Sequence, residues 1–117
     1  MDKRNFTRVS FSSGASIKYH EQIFWGNIEN VSLQGFYIKT KHDLPFNDPL
    51  EVTIYQSPNS SIYLNASVVR SGQDGLGMKI NGVDVNSFVR LRDVVSEHCN
   101  DQTLLMNETY KMANCIH

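Results

Sequence analysis

Two short groups of residues have types and spacing that could do chemistry. Arg4 and Arg8 place two planar guanidinium forks four positions apart, ahead of the first predicted strand. Asn30 and Ser32 lie two positions apart, so an extended segment would direct both polar side chains to the same side, and Gly35 permits a tight turn or a close ligand approach. Taken alone, each group also has a simpler explanation: a solvated basic terminus, and a loop between strands.

Motifs of the common enzyme classes are absent from the sequence. It contains no GxSxG nucleophile elbow, no GxxxxGK(S/T) phosphate loop, no HExxH and no CxxC. The stretch SGQDGLG belongs to a turn that enters a strand, with no following helix whose N-terminus could hold a phosphate. His98-Cys99 and Cys115-x-His117 lack the spacing of zinc ligands. We therefore predict no catalytic residue, no metal site and no cofactor, and we expect a binding protein rather than an enzyme.

The composition predicts one globular domain. Of 117 residues, 40% are hydrophobic and 20% are charged, which suffices for one core and is too little charge for a disordered tail protein. The formal net charge of -1 gives no overall attraction to nucleic acid or anionic lipid, so an anion site must be local. Residues 1–8 contain three basic side chains and one acidic one, whereas residues 9–117 contain eight basic and eleven acidic ones. We expect no DNA or RNA partner.

Neither a membrane span nor a disulfide framework is predicted. The longest uncharged stretch, residues 52–69, is interrupted by the polar segment QSPNSS and cannot cross a bilayer. The first ten residues lack the apolar core of a secretory signal. Cys99 and Cys115 both fall late in the chain and do not resemble a small-domain disulfide framework. We expect reduced thiols, a cytoplasmic location and no membrane insertion.

The pattern from residue 9 to residue 80 is that of an antiparallel sheet. Short runs rich in Val, Ile, Phe, Tyr and Ser are separated by Gly, Pro and Asn. The predicted strands are residues 9–19 (with a bulge or bend at Gly14), 23–30, 36–41, 51–55, 62–70 and 76–80. In residues 62–70 the alternation predicts one apolar row that points inward, which consists of Ile62, Leu64, Ala66 and Val68. Residues 56–61 form a predicted loop, and the pair Phe36-Tyr37 should point one ring inward and the other outward. Closure of six short strands into a barrel removes unpaired edges, so we predict a six-stranded antiparallel β-barrel.

One or two helices should follow the last strand. Asn81-Gly82 predicts a turn, and Asp84 and Asp101 are candidate N-caps of two helices, the second running to about residue 113. The apolar positions that recur at helical spacing in the first helix are Val85, Phe88, Leu91 and Val95. Arg90 is expected to be solvated. The predicted organisation is a flexible basic arm (1–8), a barrel (9–82) and a helical segment (83–117), all in one domain.

The two polar groups together resemble the paired signature of the PilZ domain. That signature is RxxxR, followed a few dozen residues later by (D or N)xSxxG, and it matches here at Arg4, Arg8, Asn30, Ser32 and Gly35. The resemblance continues in ASVVRSGQDGLGMKI, which is similar to the strand, turn and Gly-x-Gly strand that close the family's barrel, and in FVRLR, which is similar to its following helix. It therefore covers nearly the whole chain.

The resemblance implies a six-stranded barrel that senses cyclic di-GMP, a ring of two guanosines joined by two phosphodiesters with two negative charges. Arg4 and Arg8 would contact a phosphate or the guanine O6 and N7 acceptors, or stack on a purine. Asn30 would meet a guanine edge or brace the loop, although an amide has one acceptor oxygen where Asp has two. Ser32 would supply a hydroxyl to the ligand, and Gly35 would keep the strand entry free of a side chain.

The mechanism implied by the resemblance is an ordering of the arm over the barrel when ligand binds, which a downstream partner protein then recognises. Two alternatives remain open. A PilZ-like barrel could serve as a structural or protein-interaction module that binds no nucleotide, through the uncharged hairpin of residues 52–69. A small barrel could instead bind single-stranded nucleic acid through its aromatic residues, although that function requires a basic groove.

Overall fold

Six antiparallel strands close into a barrel in the computed structural model, which describes residues 6–117. The strands are β1 (Val9–Tyr19), β2 (Gln22–Val31), β3 (Gly35–Lys39), β4 (Leu50–Ser57), β5 (Ser60–Ser71) and β6 (Gly75–Val83). Their order around the barrel is β1-β2-β3-β6-β5-β4, with β4 pairing with β1 to close the sheet. The predicted six-stranded barrel is confirmed.

Side chains at alternate strand positions point inward and fill the barrel. On β5 the apolar row predicted to point inward is buried throughout, and it consists of Ile62, Leu64, Ala66 and Val68. On β3, Phe36 is buried and Tyr37 is half-buried, so the pair divides between the two faces as predicted. Because successive strand residues point to opposite faces, each strand gives one row to the core and leaves the other row for the outer surface. The candidate site lies on that outer surface.

Three sequence predictions about strand irregularities are corrected. Asn81-Gly82 does not form a turn, because β5 is long enough to pair with β6 as far as Val83 and holds those residues in the sheet. The irregularity in β1 lies between Ser10 and Ser13 rather than at Gly14, which has no positive φ and pairs with β2 in register. The β4–β5 loop is also shorter than residues 56–61, because Ser57 pairs with Ser60 across a two-residue turn.

Two helices follow the barrel, as predicted. They are α1 (Val85–Glu97) and α2 (Gln102–Lys111), and a single 3-10 turn (Ala113–Cys115) comes after them. Both predicted N-caps are confirmed: the Asp84 carboxyl accepts from the Ser87 backbone N–H (3.1 Å), and the Asp101 carboxyl accepts from the Leu104 N–H (3.0 Å). No helix within residues 6–117 has the length and apolar character required to cross a bilayer.

Helix α1 is fixed to the outside of β5 by packing and hydrogen bonds. Three of its four predicted apolar contacts are buried, but Val85 is 55% exposed, because it occupies the first helical position at the rim of the contact. The buried Ser87 hydroxyl accepts from the Tyr63 N–H (2.9 Å). Arg90, predicted to be solvated, is half-buried because its Nη1 donates to the Ser61 carbonyl (2.9 Å). Helix α1 is therefore packed against the barrel as part of the same domain.

Removing the α1 cap should lower stability. We expect Asp84→Ala to reduce the free energy of unfolding at pH 7 by about 1 kcal/mol, because the Ser87 N–H loses its acceptor. The measurement is urea denaturation followed by circular dichroism, with Asp84→Asn as the control, since Asn retains a capping oxygen. Equal stability of Asp84→Ala and the unaltered chain would contradict this assignment.

The pH dependence of the same variant follows from the pKa of Asp84. Hydrogen bonding by Ser87, from its side chain and its backbone, holds the pKa of the Asp84 carboxyl below its ordinary value of 3.8. A depressed pKa in the folded state gives stabilisation that is fully present above the unfolded-state value and is lost as the pH falls through the folded-state value. The difference between the unaltered chain and Asp84→Ala should therefore shrink below about pH 4.

Candidate ligand-binding site

The connection between β2 and β3 is a tight turn built around Ser32. Its backbone N–H donates to the Gly35 carbonyl (2.8 Å), and its hydroxyl also donates to that carbonyl (3.2 Å). The same hydroxyl accepts from the N–H groups of Gln34 (3.2 Å) and Gly35 (3.1 Å). Ser32 is buried, and its single hydroxyl donor and two acceptor sites are all used within the turn.

Gly35 allows β3 to approach β6 closely. A Cβ atom at this position would overlap the Met78 carbonyl oxygen on β6. On the other side of the turn, the Gln34 carbonyl accepts from the Ile80 N–H (2.7 Å). The close approach predicted for Gly35 is therefore an approach between two strands of the barrel. A larger residue here would push the turn away from β6.

Asn30 and Arg8 meet on the outer surface beside this turn. Asn30 pairs with Ser10 on β1 and with Tyr37 on β3, and its side-chain oxygen accepts a hydrogen bond from Arg8 Nη1. Arg8 lies just before β1 and is exposed. Arg8 of the first predicted group therefore contacts Asn30 of the second group directly, although 22 positions separate these two residues in the chain.

The other predicted site residues are placed differently. Because β2 ends at Val31, Ser32 lies in the turn rather than in the extended segment predicted for it, and its hydroxyl faces the backbone of the turn. Arg4 lies outside the described residues. Of the predicted arm of residues 1–8, residues 6–8 are described.

Two residues that are not among the predicted site residues extend this surface across the barrel. Tyr37 pairs with Asn30 on one side and with Gly77 on β6 on the other, and Gly77 in turn pairs with Arg70 on β5. Residues that pair directly across strands point to the same face, so these side chains form one outer row. We call Arg8, Asn30, Tyr37 and Arg70 the arginine face.

Gly77 leaves the space that Arg70 occupies. A Cβ atom on Gly77 would lie 3.3 Å from Arg70 Nε, so the absence of a side chain on Gly77 leaves room for the Arg70 side chain. Its carbon is 5.4 Å from the centre of the Tyr37 ring, within the range of a cation–π interaction. The outward position of Tyr37 could be predicted from alternation, but a single Arg near the end of a strand carries no comparable signal.

A polar network holds the Tyr37 ring in place. Its hydroxyl donates to Asp74 Oδ1 (2.9 Å), and Lys39 Nζ lies 3.3 Å from Glu29 Oε2 and 3.8 Å from Asp74 Oδ2. Partial burial, followed by the hydrogen bond to Asp74, raises the pKa of Tyr37 above its ordinary value. The hydrogen bond to Glu29 is the main cause of the raised pKa of Lys39. Tyr37 therefore remains neutral, and the charge of Lys39 is balanced by two carboxylates.

The family model of the PilZ domain matches residues 2–97 of this chain. The chain belongs to the PilZ family. The match includes the β2–β3 turn, the whole barrel and α1. It ends before α2, so the second helix lies outside the matched part of this PilZ domain.

Solved structures of other proteins, two of them PilZ domains, share this fold. The Bacillus subtilis inhibitor of motility (MotI/DgrA) aligns with a TM-score of 0.69 at 13% identity over 83% of this chain, which spans about half (51%) of that protein. The PilZ domain of YcgR from Escherichia coli, solved with c-di-GMP, aligns with a TM-score of 0.67 at 12% identity over 97% of this chain and 98% of that domain. The PilZ domain of CeSA from a cellulose-synthesizing bacterium aligns with a TM-score of 0.60 at 16% identity over 78% of this chain and 96% of that domain.

Removing the Ser32 hydroxyl should loosen the turn that carries the site. We expect Ser32→Ala to lower the free energy of unfolding by roughly 1–3 kcal/mol, because two buried or partly buried N–H groups lose their acceptor. Urea denaturation tests this, with Ser57→Ala as the control, since that serine is exposed at the tip of the β4–β5 hairpin. A Ser32→Ala chain as stable as the control would show that the hydroxyl does not support the turn.

Proposed function

We propose that this PilZ domain is a receptor for cyclic di-GMP that binds the nucleotide on the arginine face and signals to a downstream protein. The observation that carries the proposal is the contact between Arg8 and Asn30, because it brings one residue of the RxxxR group against one residue of the NxSxxG group. Membership of the PilZ family supports the same ligand, as does the c-di-GMP present with the PilZ domain of Escherichia coli YcgR.

The chemistry of the face suits a doubly anionic purine dinucleotide. The Arg8 guanidinium offers paired N–H donors that fit a phosphate or the O6 and N7 acceptors of guanine. Arg70 and Tyr37 present a flat cationic group against a ring, which is a suitable surface for stacking a base. Asn30 would contribute its amide to a guanine edge, and Arg4, from the arm, would contribute a second guanidinium fork.

Ser32 and Gly35 support this proposal by positioning the surface. The Ser32 hydroxyl is engaged in the turn, so a direct hydrogen bond to the ligand would require its donor to leave the Gly35 carbonyl. Gly35 holds the turn against β6, beside the β2–β3 pair of Asn30 and Tyr37. We assign both residues to building the site, with contact of Ser32 to ligand as a secondary role.

The proposed signal is an ordering of the arm. The arm of residues 1–8, which carries Arg4 and Arg8, would close over the bound nucleotide, and the new surface would be recognised by a partner protein in the cytoplasm. No cofactor and no nucleic-acid partner forms part of this proposal.

One titration separates the proposed function from its alternatives. Isothermal titration calorimetry should show binding of cyclic di-GMP and no comparable binding of GTP or a short single-stranded oligonucleotide. Binding of none of the three would favour a PilZ-like interaction module, and binding of the oligonucleotide would favour the nucleic-acid alternative. Either of these results would overturn the proposal.

The arginine residues of the arm should control affinity. We expect Arg4→Ala and Arg8→Ala each to weaken cyclic di-GMP binding by about one to two orders of magnitude, because each loses charge-assisted hydrogen bonds worth roughly 1.5–3 kcal/mol. Arg90→Ala is the matched control, since Arg90 donates to the β4–β5 hairpin away from the face. Calorimetry that gives both arm variants the affinity of the control would refute the assignment of the arm.

A further inference from the structure

The segment before β1 is attached to α2 by a buried carboxyl group. Glu108, on α2, is 1% exposed. Both of its carboxyl oxygens lie 2.9 Å from the Thr7 backbone nitrogen, and Oε2 also accepts from the Thr7 hydroxyl at 2.8 Å. The two residues are 101 positions apart in the chain. This contact therefore joins the two ends of the domain.

The burial of Glu108 makes the attachment specific. A carboxyl group removed from water is unfavourable unless it is hydrogen-bonded, and here Thr7 supplies both a backbone and a side-chain donor. Lys111, one turn farther along α2, lies with Nζ 5.9 Å from the centre of the Phe6 ring. Helix α2 thus contacts two successive residues of the arm.

Helix α2 is itself fixed to the rest of the domain, so the attachment has a stable base. Leu105, three residues before Glu108, is fully buried in the core. Thr109, the next residue, accepts from Arg92 Nε of α1 at 3.3 Å. The contact to Thr7 therefore links the arm to the packed body of the protein.

We propose that Glu108 is a positioning residue that sets the point from which Arg8 reaches the ligand. Thr7 directly precedes Arg8 in the chain, so its attachment to α2 limits the positions available to Arg8. An arm held at Thr7 loses less conformational freedom when ligand binds than one that is free as far as β1. This inference rests on the proposed function, because it concerns the arm of that same site.

The test combines two variants with two measurements. The variants are Glu108→Ala and Thr7→Val, made singly and together, and Thr7→Val retains the backbone N–H but loses the hydroxyl. The measurements are cyclic di-GMP affinity by calorimetry and hydrogen exchange of the residue 7 amide by NMR without nucleotide. We expect Glu108→Ala to weaken affinity and to speed this exchange by about tenfold each, and Thr7→Val to weaken affinity by about threefold. The double variant should match Glu108→Ala alone, because both act through one contact.

Met106→Ala is the matched control, since Met106 is also on α2 but is 51% exposed, and affinity and exchange should stay near those of the unaltered chain. If Glu108→Ala does not fold, Glu108→Gln retains the shape and one acceptor oxygen, and an effect of about threefold is expected. Unchanged exchange at residue 7, or additive losses in the double variant, would overturn the inference. A chain that binds no cyclic di-GMP at all would overturn the proposed function instead, and the exchange rate would then decide the positioning role by itself.

Discussion

The structure depends on the close approach of β3 to β6 at the end of the β2–β3 connection. Because Gly35 has no side chain, the turn lies directly against the Met78 carbonyl. The Ser32 hydroxyl accepts hydrogen bonds from two backbone N–H groups of the turn. This arrangement lets β3 join β2 to β6, so the barrel can close. It also places Asn30 and Tyr37 next to each other on the outer surface. One backbone constraint thus determines both the fold and the geometry of the site.

The barrel and the arm make different contributions to the site. The sheet provides a rigid outer row in which Tyr37 is oriented by Asp74 and covered by Arg70. The arm provides Arg8, together with Arg4 in the sequence, and concentrates positive charge in a chain whose formal net charge is -1. A local cluster of cations on a nearly neutral protein favours one anionic ligand at one place over a nucleic-acid backbone along a groove. Helix α2, through Glu108, then connects that arm to the body of the domain.

Features that depend on local chemistry could be predicted from the sequence. Alternation identified the inward row of β5, and the carboxyl groups of Asp84 and Asp101 marked the beginnings of both helices. Features that depend on cross-strand register could not be predicted from the sequence. Gly82 remains in the sheet because Asn65 lies opposite it, and nothing in the sequence around Gly82 indicates the length of β5.

The candidate site also combines features that the sequence predicts with features that it does not. The resemblance to the PilZ signature predicted Arg8 and Asn30 as site residues, and the structure places them in contact. Arg70 reaches Tyr37 only because β6 lies between their strands and carries Gly77 at the crossing point. The contact between Thr7 and Glu108 spans nearly the whole chain, so no periodicity or motif could reveal it. Long-range pairing, rather than local propensity, brings these groups together.

The most direct test of the central claim is an NMR titration of the isotope-labelled chain with cyclic di-GMP. The account predicts that the largest shift changes fall on the arginine face, at the amides of Arg8, Asn30 and Tyr37 and at the side-chain Nε of Arg70. The exposed Trp25 ring, which stacks on Tyr55 elsewhere on the barrel, should be unaffected. No change at the arginine face at saturating nucleotide, or changes confined to the Trp25–Tyr55 pair, would contradict the account.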